Sequence, residues 1–323
     1  MIINCLDANN LIIENKNLNL LLNEVFFFDI ETTGLSHKCC NIISITILIP
    51  EIHNIKIYQL FCEYKHDEKE MLEYFKTLIK DKKYVITYNG NTFDIPFITS
   101  KSRQYDINFN LDNFIKIDLY NDIRHNKNKL LINDLKLKTV EDYFNLKRDD
   151  TISGQDVIIL YEAYKIEPRK EFSSLILQHN YYDVYNLPLL FESIINLYDE
   201  IIYCNNLIIK INYSDFKFKK NVLIGNFNII SDLKTDFIIP SINYDLKTDL
   251  GTQNIEIKIP VQFFKNNDIK EFYFINNDDM NITKYTAIKG IKKNLIPLKF
   301  NNEVCYNNII IIIRKILDSI FMK

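Results

Sequence analysis

Between Val25 and Tyr198 the apolar positions switch between the period of a strand and the period of a helix. Val25 to Ile30 is an apolar run that ends among acidic residues, and Asn41 to Ile49 and Ile55 to Cys62 follow it, both rich in β-branched residues. Branched side chains suit a pleated surface, so the three segments predict a strand meander. Asp67 to Lys80 carries apolar residues at Met71, Leu72, Phe75, Leu78 and Ile79, which predicts a helix whose acidic start suits its N-terminus. Tyr84 to Tyr88 predicts a short strand broken by Asn89-Gly90-Asn91, after which Thr92 is placed to cap a helix through Ile98. Ile115 to Leu119 reads as a further strand, and Asp134 to Phe144 and Glu171 to Tyr198 as helices, with Pro188 kinking or dividing the second.

This alternation predicts an α/β domain over residues 1–202. From Tyr203 the pattern changes to alternating strands such as Leu207 to Tyr213 and Ile255 to Val261, separated by Asn/Asp-rich turns. A smaller β-rich domain over residues 203–323 is expected, closed by a helix from Ile309 to Phe321. Its aromatic residues Phe216, Phe218, Phe227 and Phe263 read as core rather than as stacking platforms.

Composition narrows the setting. The net charge is −3, so an anionic polymer would have to be attracted by a local patch or by bound cations. Arg124 to Lys129 is such a basic run, although in a loop it is more simply solvated. Cys5, Cys39, Cys40, Cys62, Cys204 and Cys305 form no Cys-x-x-Cys pair, which predicts free thiols in a reducing cytoplasm. The start of the chain lacks a basic stretch before an apolar one. The densest apolar run, Ile309 to Ile313, is far shorter than the ~20 residues of a membrane helix. A soluble cytoplasmic protein with no membrane partner is expected.

Three acidic elements carry the candidate chemistry. Asp29 and Glu31 stand two apart at the end of the first strand and so project to one face, with Thr32-Thr33-Gly34-Leu35 following. Asp94 falls in the first turn of the helix after Tyr88-Asn89-Gly90. His179 and Asp183 are four apart on a helix, hence on one face. Singly, each has an ordinary explanation: a strand entering a turn, an acid at a helix N-terminus, a surface pair. Together they supply hard oxygen ligands for two divalent cations, Mg²⁺ or Mn²⁺, of the kind that serve in-line hydrolysis of a phosphodiester, with His179 placed to take the proton of the attacking water.

In these elements the chain resembles the DEDD superfamily of 3′-to-5′ exonucleases. Asp29-x-Glu31-Thr-Thr-Gly is similar to the first motif, Tyr88-Asn-Gly-x-x-Phe-Asp94 to the second and His179-x-x-x-Asp183 to the third. Within that superfamily it is most similar to the bacterial YprB-type ribonuclease H-like domain, through Phe93 to Pro96, Asp118-Leu119, Leu137 to Glu141, Arg148-x-Asp150-x-x-x-Gly154 and His179-Asn180.

The resemblance covers Phe26 to Ile195. It implies a ribonuclease H-like mixed sheet flanked by helices, metal ligation by Asp29, Glu31, Asp94 and Asp183, catalysis with His179, and a single-stranded DNA or RNA 3′ end as substrate. Thr32, Thr33, Gly34 and Leu35 would line the pocket of the terminal nucleotide, Asn89 would help to place the strand, and Lys101 would meet a phosphate where Arg is commoner. His179 and Asp183 depart from the histidine subgroup in being four apart rather than five, the spacing of the tyrosine subgroup. Glu141 and Arg148 read equally as a structural pair or a substrate contact. Two other readings remain on sequence alone: a domain that binds nucleic acid without cutting it, and a structure-specific endonuclease on the same scaffold.

Overall fold

Each apolar run of the N-terminal half becomes a strand because two layers of helices are there to cover it. A computed structural model describes residues 1–8, 11–13, 24–51, 54–205, 207–231, 235–265 and 271–321. The chain divides into two compact units, Met1–Leu197 and Tyr198–Lys323.

The first unit holds strands β1 (Ile2–Asp7), β2 (Val25–Thr32), β3 (Ile42–Pro50), β4 (Ile55–Phe61), β5 (Tyr84–Thr87) and β6 (Ile115–Asp118) in one six-stranded sheet of order β1-β4-β3-β2-β5-β6. The β1, β4, β3 and β2 neighbours are antiparallel, while β2, β5 and β6 run parallel, so the sheet is mixed. Helices α1 (Asp67–Ile79), α2 (Asp94–Gln104), α3 (Leu119–Leu130), α4 (Leu137–Tyr143), α5 (Gly154–Ile166), α6 (Lys170–Tyr185) and α7 (Leu187–Ile195) accompany it.

Phe26 and Phe28 of β2 pack with Phe75 of α1 in one core. A second cluster joins Ile43 and Phe61 to Tyr161, Tyr164 and Ile176 from α5 and α6. Strand β3 is buried along its whole length, as expected of a strand covered on both faces.

Three differences from the sequence expectations have physical causes. The helix expected from Glu171 to Tyr198 is two helices that meet at Asn186, because Pro188 at the second position of α7 cannot donate to a preceding turn. Thr92 does not cap α2; its hydroxyl donates instead to Asn89 O at 3.1 Å and Asn89 Oδ1 at 2.7 Å, and the helix runs on to Gln104. Helix α5 was not expected, although Ser153 and Asp156 form a reciprocal capping box at its start.

In the second unit β7 (Glu200–Cys204), β8 (Leu207–Ile211), β9 (Phe216–Lys219), β10 (Val222–Ile229), β11 (Ile238–Pro240), β12 (Asp245–Asp249) and β13 (Asn254–Pro260) form a seven-stranded sheet. Strands β14 (Gln262–Phe264), β15 (Phe272–Asn276), β16 (Leu295–Phe300) and β17 (Glu303–Val304) form a second sheet, with α8 (Asn277–Met280) following β15 and α9 (Tyr306–Phe321) after β17. The expected boundary at residue 202 falls inside β7, whose pairing with β8 assigns it to the second unit.

Helix α9 buries Ile309, Ile312, Ile313, Ile316 and Leu317 at helical spacing. Phe227 is core, Phe216 and Phe218 are packed against it, and Phe263 on the edge strand β14 is exposed. Among the described residues no helix is long and apolar enough to cross a membrane.

Candidate metal and catalytic site

Alternation along β2 turns Phe26, Phe28 and Ile30 into the core shared with α1 and Asp29 and Glu31 toward α6. Asn180 of α6, fully buried, donates through Nδ2 to Asp29 Oδ2 at 2.8 Å. Its Oδ1 accepts from Ser44 Oγ at 3.0 Å and Thr46 Oγ1 at 2.6 Å on β3. One amide therefore joins two strands and a helix to the first carboxylate. Asp94 opens α2, and the Ile30 N–H, between Asp29 and Glu31, donates to its Oδ1 at 3.1 Å. That bond binds the second acidic element to the first.

His179 and Asp183 rise from one face of α6, with Nε2 of the ring 3.5 Å from Asp183 Oδ2 and 3.6 Å from Glu31 Oε1. One ligand atom from each of Glu31, His179 and Asp183 lies within 4.8 Å of the others. The far side of the ring is also held: Nδ1 lies 2.6 Å from Asp150 Oδ2. Asp150 in turn receives Arg148 Nε at 2.5 Å and Lys138 Nζ at 3.1 Å. Nη1 of Arg148 bridges Glu141 at 2.7 Å and Asp183 Oδ1 at 2.9 Å, and Asn186 donates to the other oxygen of Glu141 at 3.0 Å. Arg148 Nη2 is buried with no hydrogen-bond partner among the described residues.

Electrostatics follow from this crowding. Burial, and then the charges of Asp94, Asp183 and Glu31, push the Asp29 carboxyl well above the ordinary carboxylate range. Burial followed by Asp183 and Asp94 does the same to Glu31. Burial raises Asp94 to about 7, against the hydrogen bond from Ile30. Burial opposes the charge of Asp150 as well, but hydrogen bonds from Arg148 and His179 outweigh it and hold this carboxyl far below the ordinary range. Asp150 is thus an ionised acceptor, which puts the proton of a neutral His179 on Nδ1 and leaves the Nε2 lone pair facing Glu31 and Asp183.

The donor set fits a divalent cation: ligand atoms of Glu31, His179 and Asp183 converge, Asp29 and Asp94 lie close enough for the acids to repel one another, and Arg148 opposes the rise of Asp29 and Glu31. Two like-charged carboxylates in a low-dielectric corner repel unless a cation lies between them.

The remaining residues singled out from sequence are dispersed. Thr32 is buried and donates to Gly34 O at 2.8 Å, and Thr33 Oγ1 accepts from the Asn41 N–H at 2.9 Å, so both hydroxyls shape the turn after β2. A Cβ on Gly34 would come within 2.9 Å of Cys40 Sγ, a close approach that explains glycine there. Leu35 is 86% exposed beside this turn. Asn89 has φ 63° and its N–H donates to Asp118 Oδ1 at 2.7 Å, so its backbone serves the turn before α2. Lys101 departs from expectation: it is buried 3.6 Å from Glu68 Oε2 and reaches Asn41 at 3.4 Å and Gln104 at 3.3 Å, so its ammonium is held inside the fold and not offered to a phosphate.

Asn180, Asp150 and Arg148 take structural roles at the centre that spacing alone does not reveal. Their signal in the chain is the pair of short segments Arg148-x-Asp150 and His179-Asn180, which name the residues without saying what they touch.

Comparison with known proteins adds the following. A sequence profile of the RNase H superfamily matches residues 26–195. A search of the curated proteins finds no relative. Among solved structures, the family B DNA polymerase from the hyperthermophilic archaeon Pyrobaculum calidifontis aligns with a TM-score of 0.43 and 16% identity, over 52% of this chain and 24% of that one. An ExoI/SSB-Ct complex aligns with a TM-score of 0.30 and 12% identity, over 64% of this chain and 55% of that one. This chain therefore spans less than two thirds of either.

Proposed function

The chain belongs to the RNase H superfamily, and from that premise we propose that it is a metal-dependent nuclease that shortens single-stranded DNA or RNA from the 3′ end. Asp29, Glu31, Asp94 and Asp183 would hold two divalent cations, Mg²⁺ or Mn²⁺. When bound, these ions lower the cost of the charge that develops at the phosphate and make a water molecule acidic enough to attack it.

The chain's own residues do the rest. His179 Nε2 takes the proton of the attacking water, while Asp150 fixes the ring through Nδ1 and favours the imidazolium that results. Asn180 sets the rotamer of Asp29, and Arg148 sets that of Asp183. Leu35, exposed at the turn beyond the carboxylates, offers an apolar surface to the terminal base. All of these residues belong to the first unit.

The observation that supports this reading best is the joining of three distant acidic segments by the Ile30 to Asp94, Asn180 to Asp29 and His179 to Glu31 contacts. The test is incubation of the full chain with 3′-labelled and 5′-labelled single-stranded DNA and RNA in Mg²⁺, Mn²⁺ or EDTA, beside Asp29→Ala and Asp183→Ala. Stepwise shortening from the 3′ end that needs metal and vanishes in both variants is expected. Internal cuts would replace the reading with an endonuclease, and binding without any cleavage would replace it with a binding domain.

A further inference from the structure

The turn that leaves β2 carries two adjacent cysteines, and the nuclease reading uses neither. The Thr33 N–H donates to Asn41 O at 2.9 Å and the Asn41 N–H to Thr33 Oγ1 at 2.9 Å, which closes the loop 34–40 at its base. Within the loop, Ser36 O accepts from the Cys39 N–H at 3.2 Å and from the Cys40 N–H at 2.8 Å. Cys39 is exposed, whereas Cys40 is half-buried with its Sγ against Gly34. We propose that Cys39 and Cys40 are a redox site, at which a hydroperoxide joins the two sulfurs in a disulfide that a small thiol reopens. The proposal stands on this turn alone and is independent of the nuclease reading.

The two sulfurs have different surroundings, and a two-step oxidation needs that difference. Hydrogen bonds to Ser36 and then to Cys40, with the charge of Lys101, lower the pKa of the Cys39 thiol. An accessible thiolate beside a second cysteine is the arrangement that attacks a peroxide and then resolves the product. Burial acts the other way on Cys62, Cys204 and Cys305 and raises all three, Cys204 to about 11. Cys5 on β1 is also exposed but has no cysteine next to it in the chain. His37, in the same loop, pairs through Nδ1 with Ser100 Oγ at 2.9 Å, and no cluster of three metal-ligating side chains forms around the loop among the described residues. The loop therefore offers sulfur chemistry rather than a cation site.

With hydrogen peroxide, the Cys39 thiolate attacks one oxygen, the O–O bond breaks, and hydroxide leaves and takes up a proton. Cys39 then carries a sulfenic acid. The Cys40 sulfur attacks the Cys39 sulfur, the S–O bond breaks, and water leaves with the Cys40 proton. Two thiols lose two electrons and two protons, and one peroxide becomes two waters. Neighbouring Cα atoms are about 3.8 Å apart, below the roughly 4.4 to 6.8 Å usual across a disulfide, so the small ring is strained. Strained, exposed disulfides are the readily reduced ones, which makes the step reversible. Ring closure also draws Cys40 Sγ from Gly34 toward Cys39 and competes with the bonds to Ser36 O.

The test is titration of the full chain with hydrogen peroxide in EDTA, followed by maleimide labelling and peptide mass spectrometry. Expected is that the segment holding Cys39 and Cys40 loses two hydrogen masses and takes no label while Cys5 is still labelled, and that dithiothreitol restores both labels. Cys40→Ser should instead leave a sulfenic acid at Cys39, trapped by dimedone. Cys39→Ser should slow the oxidation of Cys40 to the rate of Cys5 or below. Thermal unfolding of both serine variants should match the parent, so that a lost reaction reads as lost chemistry. Oxidation of Cys5 ahead of the pair, a disulfide joining two chains, or over-oxidation of Cys39 in the parent as fast as in Cys40→Ser overturns the proposal.

Discussion

The imidazole of His179 is clamped between an ionised Asp150, 2.6 Å from Nδ1, and the carboxylates of Glu31 and Asp183 on the Nε2 side. Asp150 is in a loop between two helices, 29 residues before the histidine, and is itself anchored by Arg148 and Lys138. A ring held on one edge by a buried acceptor keeps one tautomer and one orientation.

Asp150→Ala should therefore lower turnover by roughly 10 to 100-fold, the range for groups that orient a ligand or base. Single-turnover rates checked against Mn²⁺ binding separate this from lost metal. A drop in rate with metal affinity retained is expected, whereas an unchanged rate would remove Asp150 from the mechanism.

The metal-free protein should lose stability as pH rises. Asp29, Glu31 and Asp94 all have raised carboxyl pKa values, Asp94 to about 7, whereas unfolded carboxyls titrate near 4. Above the unfolded values the native chain holds more protons than the unfolded one, so the free energy of unfolding falls as pH rises from about 4, through the Asp94 value of about 7, until Asp29 and Glu31 have also lost their protons. Asp150 acts in the opposite sense, and its contribution is lost only as pH falls below the ordinary carboxylate range. Thermal unfolding in EDTA across this window measures the slope, and saturating Mg²⁺ should flatten it.

Asp29→Asn removes a carboxyl that the metal-free fold can bury only by taking up a proton or by bearing the repulsion of its neighbours, while keeping an acceptor for Asn180. Without metal it should melt higher than the parent, and its cleavage should fall to background. A variant both less stable and inactive would mean that Asp29 serves the fold more than the site.

Lys101→Met leaves Glu68 buried without its cation, with only the Tyr105 hydroxyl and Ile42 N–H for company. Breaking a buried ion pair by removing one partner costs about 3 to 5 kcal/mol, readable by urea unfolding. A negligible loss would show that the Lys101–Glu68 pair contributes little to the fold.

Much of this was legible in the chain. The β2, β3 and β4 runs, the helix at Asp67 and the closing helix at residue 306 each follow one hydrophobic period, and period is what local sequence encodes. The i and i+2 spacing of Asp29 and Glu31 and the i and i+4 spacing of His179 and Asp183 likewise translate directly into shared faces. What escaped depends on distant partners. Lys101 looks like a solvent-facing cation until Glu68, 33 positions earlier in the numbering, folds against it. Arg148 and Asp150 sit in a stretch with no period at all. Helix α5 has aromatic and aliphatic residues around most of its circumference, which blurs the amphipathic signal that would have marked it.

The amide of Asn180 has one more consequence, and it concerns time. Its bonds to Asp29, Ser44 and Thr46 close separations of 151, 136 and 134 residues. At synthesis rates of about 5 to 20 residues per second, Asp29 leaves the ribosome roughly 8 to 30 s before the residue that orients it. The order of its parts along the chain thus keeps the carboxylate centre unassembled until α6 has been made, so a shorter nascent chain carries no finished site.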